Sequence, residues 1–201
     1  PYSSICSRKT NDTTHRSGTE AAIILLVELT PEEIEWCNTK GLERDSNNRF
    51  NNIEDHRFNK AQEGESINRM GVVGEYIVQR ELGLDVQIAT DKPDHRGDIE
   101  LFTGEWIEVK TASKPHYRFG IEGLDIDSLF PQHFGVLVVP RREDQWGKLR
   151  IVGWCSNNYF RRNARKVQMR NVTWCLEQDQ LAPFERFQLY LELAQKIEAS
   201  I

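Results

Sequence analysis

The segment GDIELFTGEWIEVKTAS, residues 97–113, sets Asp98, Glu100, Glu105 and Glu108 among strand-forming apolar residues and follows the last of them with Lys110. Apolar and charged residues alternate with the period of a β-strand, and the turn around Thr103-Gly104 folds the segment into a hairpin. Acids this close together repel, so a fold that gathers them on one face needs a cation among them.

Turn length decides which side chains meet. With a three-residue turn, Thr103-Gly104-Glu105, Phe102 faces Trp106, Glu100 faces Glu108 and Asp98 faces Lys110, all on one side. A two-residue turn brings Asp98 opposite Val109 and splits the set. Glycine inside the loop suits the longer form, in which one position is left-handed. One ammonium, that of Lys110, does not balance three acids, whereas a divalent metal does. Mg2+ takes oxygen ligands in octahedral array, commonly one or two carboxylates with waters and substrate phosphate. Asp98 and Glu108 meet that requirement, and the backbone carbonyl of Val109 offers a third oxygen. The competing reading is a salt-bridged hairpin on a solvent-facing sheet. Context weighs against it, because these strands belong to a sheet that should be covered on both sides and follow a helix carrying Glu75.

The rest of the chain reads as an α/β protein: a central mixed β-sheet flanked by helices, preceded by an N-terminal strand-helix extension. Its 201 residues, 38% hydrophobic and 28% charged, suit one domain with a core. Residues 1–18 read as a loose lead-in, 19–60 as the extension, and 61–201 as the main domain. AAIILLVEL is a short aliphatic run that fits a buried strand. A helix begins at Thr30, with Pro31 at its first position and Glu33 completing a capping box, and Gly41 is expected to stop it. The Asn-rich stretch RDSNNRFNNIEDHRFNK marks a connection. A second helix carries Ile67, Met70, Val73, Ile77 and Leu82 and ends at Gly83; its internal Gly71 and Gly74 each cost roughly 1 kcal/mol against alanine, which close packing on a sheet would offset. DVQIAT, GDIELF and EWIEVKTAS read as strands, KPHYRFGIEG as a loop and DIDSLFPQH as a short helix. FGVLVVP and KLRIVGWCS read as strands, NNYFRRNARKV as a helix capped by Asn157 or Asn158, and APFERFQLYLELAQKIEAS as an amphipathic helix.

GDIEL, followed by EVK and preceded by the helical GEYIVQRELGL, resembles the PD-(D/E)XK nuclease superfamily, in its restriction-endonuclease-like and Holliday-junction-resolvase-like branch. The resemblance spans residues 64 to about 155. It implies a restriction-endonuclease-like core in which Asp98, Glu108, Val109 and Glu75 hold Mg2+, or Mn2+ in its place, and Lys110 takes the lysine role. It further implies small polar residues beside the site at Thr111 and Ser113. Asp94, within a literal Pro-Asp pair, competes with Asp98 as the motif aspartate, and Glu100 is a secondary ligand or a neighbour. The implied activity is metal-dependent hydrolysis of phosphodiester bonds, most readily in DNA. Retention of the fold as a catalytically inactive nucleic-acid-binding or assembly protein is the alternative.

A net charge of −5 means that any grip on nucleic acid is local. Basic residues cluster at Arg141-Arg142 and at Arg161, Arg162, Arg165 and Lys166, where phosphate contact competes with a plain solvated helix face. The five histidines lack metal-binding spacing, and GxxxxGK[ST] and GxSxG are absent, which sets aside zinc, nucleotide-driven and serine hydrolases. Cys6, Cys37, Cys155 and Cys175 read as reduced core residues. No apolar run is long enough for a membrane span, so no membrane partner is expected and a cytoplasmic location is. Residues 19–60 either extend the sheet or pair across a two-fold axis in a homodimer.

Overall fold

The computed structural model describes residues 25–51, 64–90, 97–126, 131–143, 145, 147–168 and 171–200. At its centre lies a five-stranded sheet in the order β1 (Leu25–Glu28), β6 (Lys148–Ser156), β5 (Phe134–Pro140), β3 (Trp106–Thr111) and β2 (Ile99–Glu100). β3 and β5 run parallel and the other neighbours antiparallel, which makes the sheet mixed. A second, antiparallel sheet has the order β4 (Phe119–Glu122), β8 (Val172–Leu176) and β7 (Arg165–Gln168). Among the described residues, four α-helices complete the fold: α1 (Pro31–Phe50), α2 (Gly64–Glu81), α3 (Asn157–Asn163) and α4 (Phe184–Glu198).

Strand β5 shows why the layers stack as they do. All seven of its residues are buried, as a strand covered on both faces requires, and this is why FGVLVVP is apolar without alternation. Phe134, Val136 and Val138 join a cluster with Val72, Val73, Ile77 and Val78 of α2 and Phe184, Phe187 and Leu191 of α4. Leu137 and Val139 face the other way, into a cluster with Phe119 of β4, Phe160 of α3 and Leu176 of β8. Each such side chain contributes roughly 2 kcal/mol by leaving water. Helices α2 and α4 therefore cover one face of the main sheet, while the small sheet and α3 cover the other.

α1 begins as its residues dictate. Glu33 N–H donates to Thr30 Oγ1 at 3.2 Å, and Thr30 N–H donates to the Glu33 carboxylate at 2.8 Å. Gly41 does not end it. A Cβ there would stand 2.6 Å from Arg69 Cγ and 2.7 Å from Arg69 Cα, so this glycine is the point of closest approach between α1 and α2. The helix then runs on through Arg44–Phe50, part of the stretch expected to be a connection. Its polar residues are used: Asn68 Nδ2 donates to Asp45 Oδ1 at 3.1 Å and Asn48 Nδ2 to Asn68 Oδ1 at 3.3 Å, binding α1 to α2.

Other expectations fall differently. DVQIAT, residues 85–90, forms no strand. Side chains take the place of a ladder there: Gln79 Oε1 accepts from Gln87 N–H at 2.8 Å, Arg44 donates to the Ala89 carbonyl, and Asn47 Nδ2 donates to the Thr90 carbonyl at 2.8 Å. Part of the expected loop KPHYRFGIEG is β4, paired with β8. NNYFRRNARKV divides into α3, capped by Ser156 rather than Asn157 or Asn158, and β7. Of DIDSLFPQH, where a short helix is expected, residues 127–130 lie outside the described residues and those described on either side are not helical; Cys6 and residues 21–24 of AAIILLVEL also lie outside, while Leu25–Glu28 extends the sheet along β6. Cys37, Cys155 and Cys175 are buried free thiols, and burial pushes Cys37 and Cys155 up to about 12. No helix among the described residues is long and apolar enough to cross a membrane.

Candidate functional site

The hairpin closes one residue earlier than expected. Leu101 N–H donates to the Glu105 carbonyl at 2.8 Å, so the turn is Phe102-Thr103-Gly104, with Gly104 at φ +76°. The left-handed residue thus comes last, where a three-residue hairpin wants it. Glu100 consequently pairs with Trp106, and Ile99 with Ile107. The shift is by two in register, which preserves parity, so Glu100, Trp106, Glu108 and Lys110 still share a face.

Asp98 breaks the pattern usefully. Its N–H donates to the Ile107 carbonyl at 2.9 Å although Ile107 is already paired with Ile99. Two residues stand against one, which is a bulge, and a bulge re-aims a side chain. β2 supplies no partner to β3 beyond Ile107, and the Asp98 carboxylate fills that position, accepting from Val109 N–H at 2.7 Å. N–H and C=O of one strand residue point to the same side, so the Val109 carbonyl is directed toward Asp98 as well. Asp98 therefore sits beside Val109 and Glu108 rather than opposite Lys110.

Glu108 and Lys110 are bonded to each other on the face shared with Leu137, since Lys110 lies beside Leu137 in the parallel pair. Val109 and Thr111 point the other way, onto α2. Gly74 makes that contact: a Cβ there would fall on Thr111 Oγ1 and stand 3.3 Å from Val109 Cγ1. Of the two internal glycines of α2, Gly74 marks the expected close packing, while a Cβ at Gly71 would meet nothing nearer than 3.5 Å. One residue beyond Gly74, Glu75 of α2 is only 4% exposed and lies within the field of the Glu108 and Lys110 charges.

A residue from the Asn-rich stretch expected to be a connection completes the group. Arg44 of α1 donates to both oxygens of Glu75, at 2.6 and 2.7 Å, and its Nε and Nη2 also hold the Ala89 carbonyl at 3.0 and 2.7 Å. Its signal was helical spacing: Cys37, Gly41, Arg44 with Asp45, and Asn48 recur on one face of α1, which a reading that stopped the helix at Gly41 could not use.

Three carboxylates, Asp98, Glu108 and Glu75, thus share their field with two cations, Arg44 and Lys110. Burial raises Asp98 well above the usual carboxylate range, and the nearby Glu108 and Glu75 charges push it further than Lys110 and the Val109 N–H can pull it back. Burial likewise raises Glu75, with help from the Glu108 charge and against the pull of Arg44 and Lys110. Lys110 is drawn down by burial but held above its ordinary value by Glu108 and Asp98. The cluster is short of one positive charge. Lys110 keeps 40% of its side chain exposed, so the group opens to solvent at that point.

Among the described residues, no group of three or more His, Cys, Asp or Glu side chains is arranged to hold a metal ion. The geometry explains this: both Glu75 oxygens are engaged by Arg44, one Asp98 oxygen by Val109 N–H, and one Glu108 oxygen by Lys110. Two carboxylates, Asp98 and Glu108, each retain a second oxygen. Glu100 is exposed, Thr111 Oγ1 is buried with no hydrogen-bond partner, and Asp94 lies outside the described residues.

The basic residues do not form one patch. Phe134 pairs with Ser156 and Pro140 with Leu149, so α3, which follows Ser156, and the turn Arg141-Arg142, which follows Pro140, sit at opposite ends of the β5–β6 pair. Arg142, Arg162, Arg165 and Lys166 are exposed, and Lys166 Nζ lies 5.9 Å from the centre of the Trp174 ring.

The chain matches no family model, and no curated protein or solved structure matches it.

Proposed function

We propose that this protein is a Mg2+-dependent nuclease, hydrolysing phosphodiester bonds in DNA, with a restriction-endonuclease-like core. The observation that carries the reading is the under-neutralised cluster at the open edge of β3, where Asp98, Glu108 and Glu75 outnumber Arg44 and Lys110. Asp98 is raised because buried negative charge crowds it, and a divalent ion beside it would relieve that crowding.

The donor set fits such an ion. Asp98 and Glu108 would hold it through their uncommitted oxygens, two carboxylates being within what Mg2+ commonly takes, with the Val109 carbonyl beside them. When bound, the ion supplies charge stabilisation at the phosphoryl oxygens and acidifies water. The chain's own residues do the rest. Asp98, fixed by the Val109 N–H, orients the site. Lys110, partly exposed and bonded to Glu108, is placed to pair with charge developing on phosphate oxygens or to orient water. Arg44 holds Glu75 still.

A second reading, a catalytically inactive nucleic-acid-binding or assembly protein, draws on the capture of both Glu75 oxygens by Arg44, an arrangement that needs no metal. Cleavage of supercoiled and branched DNA in Mg2+ separates the two. The nuclease reading requires cleavage that Glu108→Ala and Lys110→Ala abolish while DNA binding survives; no cleavage by the wild-type protein in Mg2+ or Mn2+ leaves the binding protein.

A further inference from the structure

The loop between β3 and β4 begins at Ala112, two residues after Lys110, and carries Lys114, His116, Tyr117 and Arg118. Its backbone is braced from β6 and from the segment after β8. Arg150 Nη2 donates to the Pro115 carbonyl and, at 2.9 Å, to Gln178 Oε1. Gln178 Nε2 in turn donates to the carbonyls of Pro115 at 2.8 Å and Tyr117 at 2.7 Å. The inward carbonyls are satisfied, and His116, Tyr117 and Arg118 remain exposed, Tyr117 by 40%. The His116 ring meets the Tyr117 ring edge-on, with centroids 5.3 Å apart. Lys114 Nζ lies 3.9 Å from Glu143 Oε1, which sets the loop beside the Arg141-Arg142 turn.

We propose that this loop and the Arg141-Arg142 turn form a docking surface for DNA with an unpaired base, Tyr117 serving as the stacking platform and the two arginines as phosphate contacts. The inference rests on the nuclease reading of the adjacent site. Paired bases hide their faces, so an exposed ring can stack only on a base that is unpaired or terminal. The braced backbone means that little conformational freedom is lost on binding. The surface is mixed in charge, since Arg118 is bridged to Glu177 at 2.8 Å. The arginines of the turn therefore supply the grip that a chain of net charge −5 needs locally. Lys114 is four residues from Lys110, at most about 14 Å along an extended chain, so the start of this loop lies near the site.

Fluorescence anisotropy of the full chain in chelator, with a labelled single-stranded DNA oligonucleotide and, as competitor, a relaxed covalently closed circular duplex that has neither ends nor unpaired bases, tests this. Tyr117→Ala is expected to weaken single-strand binding about tenfold and to leave duplex binding within about twofold, while Tyr117→Phe retains both. Arg141→Ala/Arg142→Ala is expected to weaken both and to flatten the salt dependence by nearly one per lost phosphate contact. Single-strand affinity unchanged in Tyr117→Ala, or single-strand and duplex binding weakened equally, overturns the assignment. Mn2+ binding and cleavage by the same wild-type sample report separately on the site. A chain that loses single strands on Tyr117→Ala yet neither binds Mn2+ nor cleaves supports the docking surface and removes the nuclease.

Discussion

Arg44 of α1 and Glu75 of α2 meet as a two-bond pair, 2.6 and 2.7 Å, with side chains only 17% and 5% exposed. Removing one member of such a pair strands the other's charge away from water. Arg44→Ala is expected to cost about 3 kcal/mol, read from the midpoint of urea unfolding, and Arg44→Ala/Glu75→Gln to recover part of it. Losses that simply add would mean that the two groups do not depend on each other.

Asp98→Asn should stabilise the metal-free protein. Asp98 titrates higher in the folded than in the unfolded chain, so its contribution is fully present below the ordinary aspartate range and is lost as pH rises through the raised value. Asparagine keeps an oxygen for the Val109 N–H and carries no charge to bury. In chelator at pH 7 the variant is expected to gain about 1 kcal/mol, a difference that fades below about pH 4. A variant less stable than wild type at pH 7 would contradict the charge imbalance. Added Mg2+ should raise the Tm of wild type and not that of the variant.

At the exposed end of the cluster, Glu108→Ala and Lys110→Ala are each expected to lower DNA cleavage by about a hundredfold or more, with affinity for DNA largely kept. Gel-based cleavage beside a binding titration reads both quantities. Cleavage within about threefold of wild type in either variant would remove that residue from the chemistry.

Gly74→Ala tests the packing that places β3. Its methyl group would land on Thr111 Oγ1, and the expected cost is about 2 kcal/mol with cleavage reduced as well, since Glu108 and Lys110 ride on the same strand. Thr111→Ala in the same chain should restore much of the stability, because it removes the obstructing oxygen. Gly71→Ala, where the nearest atom would be Arg44 Nη1 at 3.5 Å, should be mild by comparison.

What could be read ahead of the structure was local in origin. The capping box at Thr30 and Glu33, the unbroken apolar run of β5 and the shared parity of Glu108 with Lys110 depend on neighbours a few residues away. What escaped depends on contacts distant in the chain. Gly41 looks like a stop until Arg69 is seen against it, and residues 85–90 look like a strand until side chains of α1 and α2 occupy their backbone groups. Likewise β7 and β8 exist by pairing with each other and with β4, and RKVQ alone carries no strand pattern. Within the site, residue types and spacing singled out Asp98, Glu108, Lys110 and Glu75, which the fold brings together, but not the bulge that turns Asp98 or the arginine that arrives from α1.

Gly41 and Gly74 lie in successive seams of one stack, the first between α1 and α2, the second between α2 and β3. In both seams the spacing is set by hydrogens where other residues carry carbon. Thickening either seam by a single methyl group would be passed along the stack to the strand bearing Glu108 and Lys110, so the alignment of that strand is governed from two positions that themselves carry no functional group.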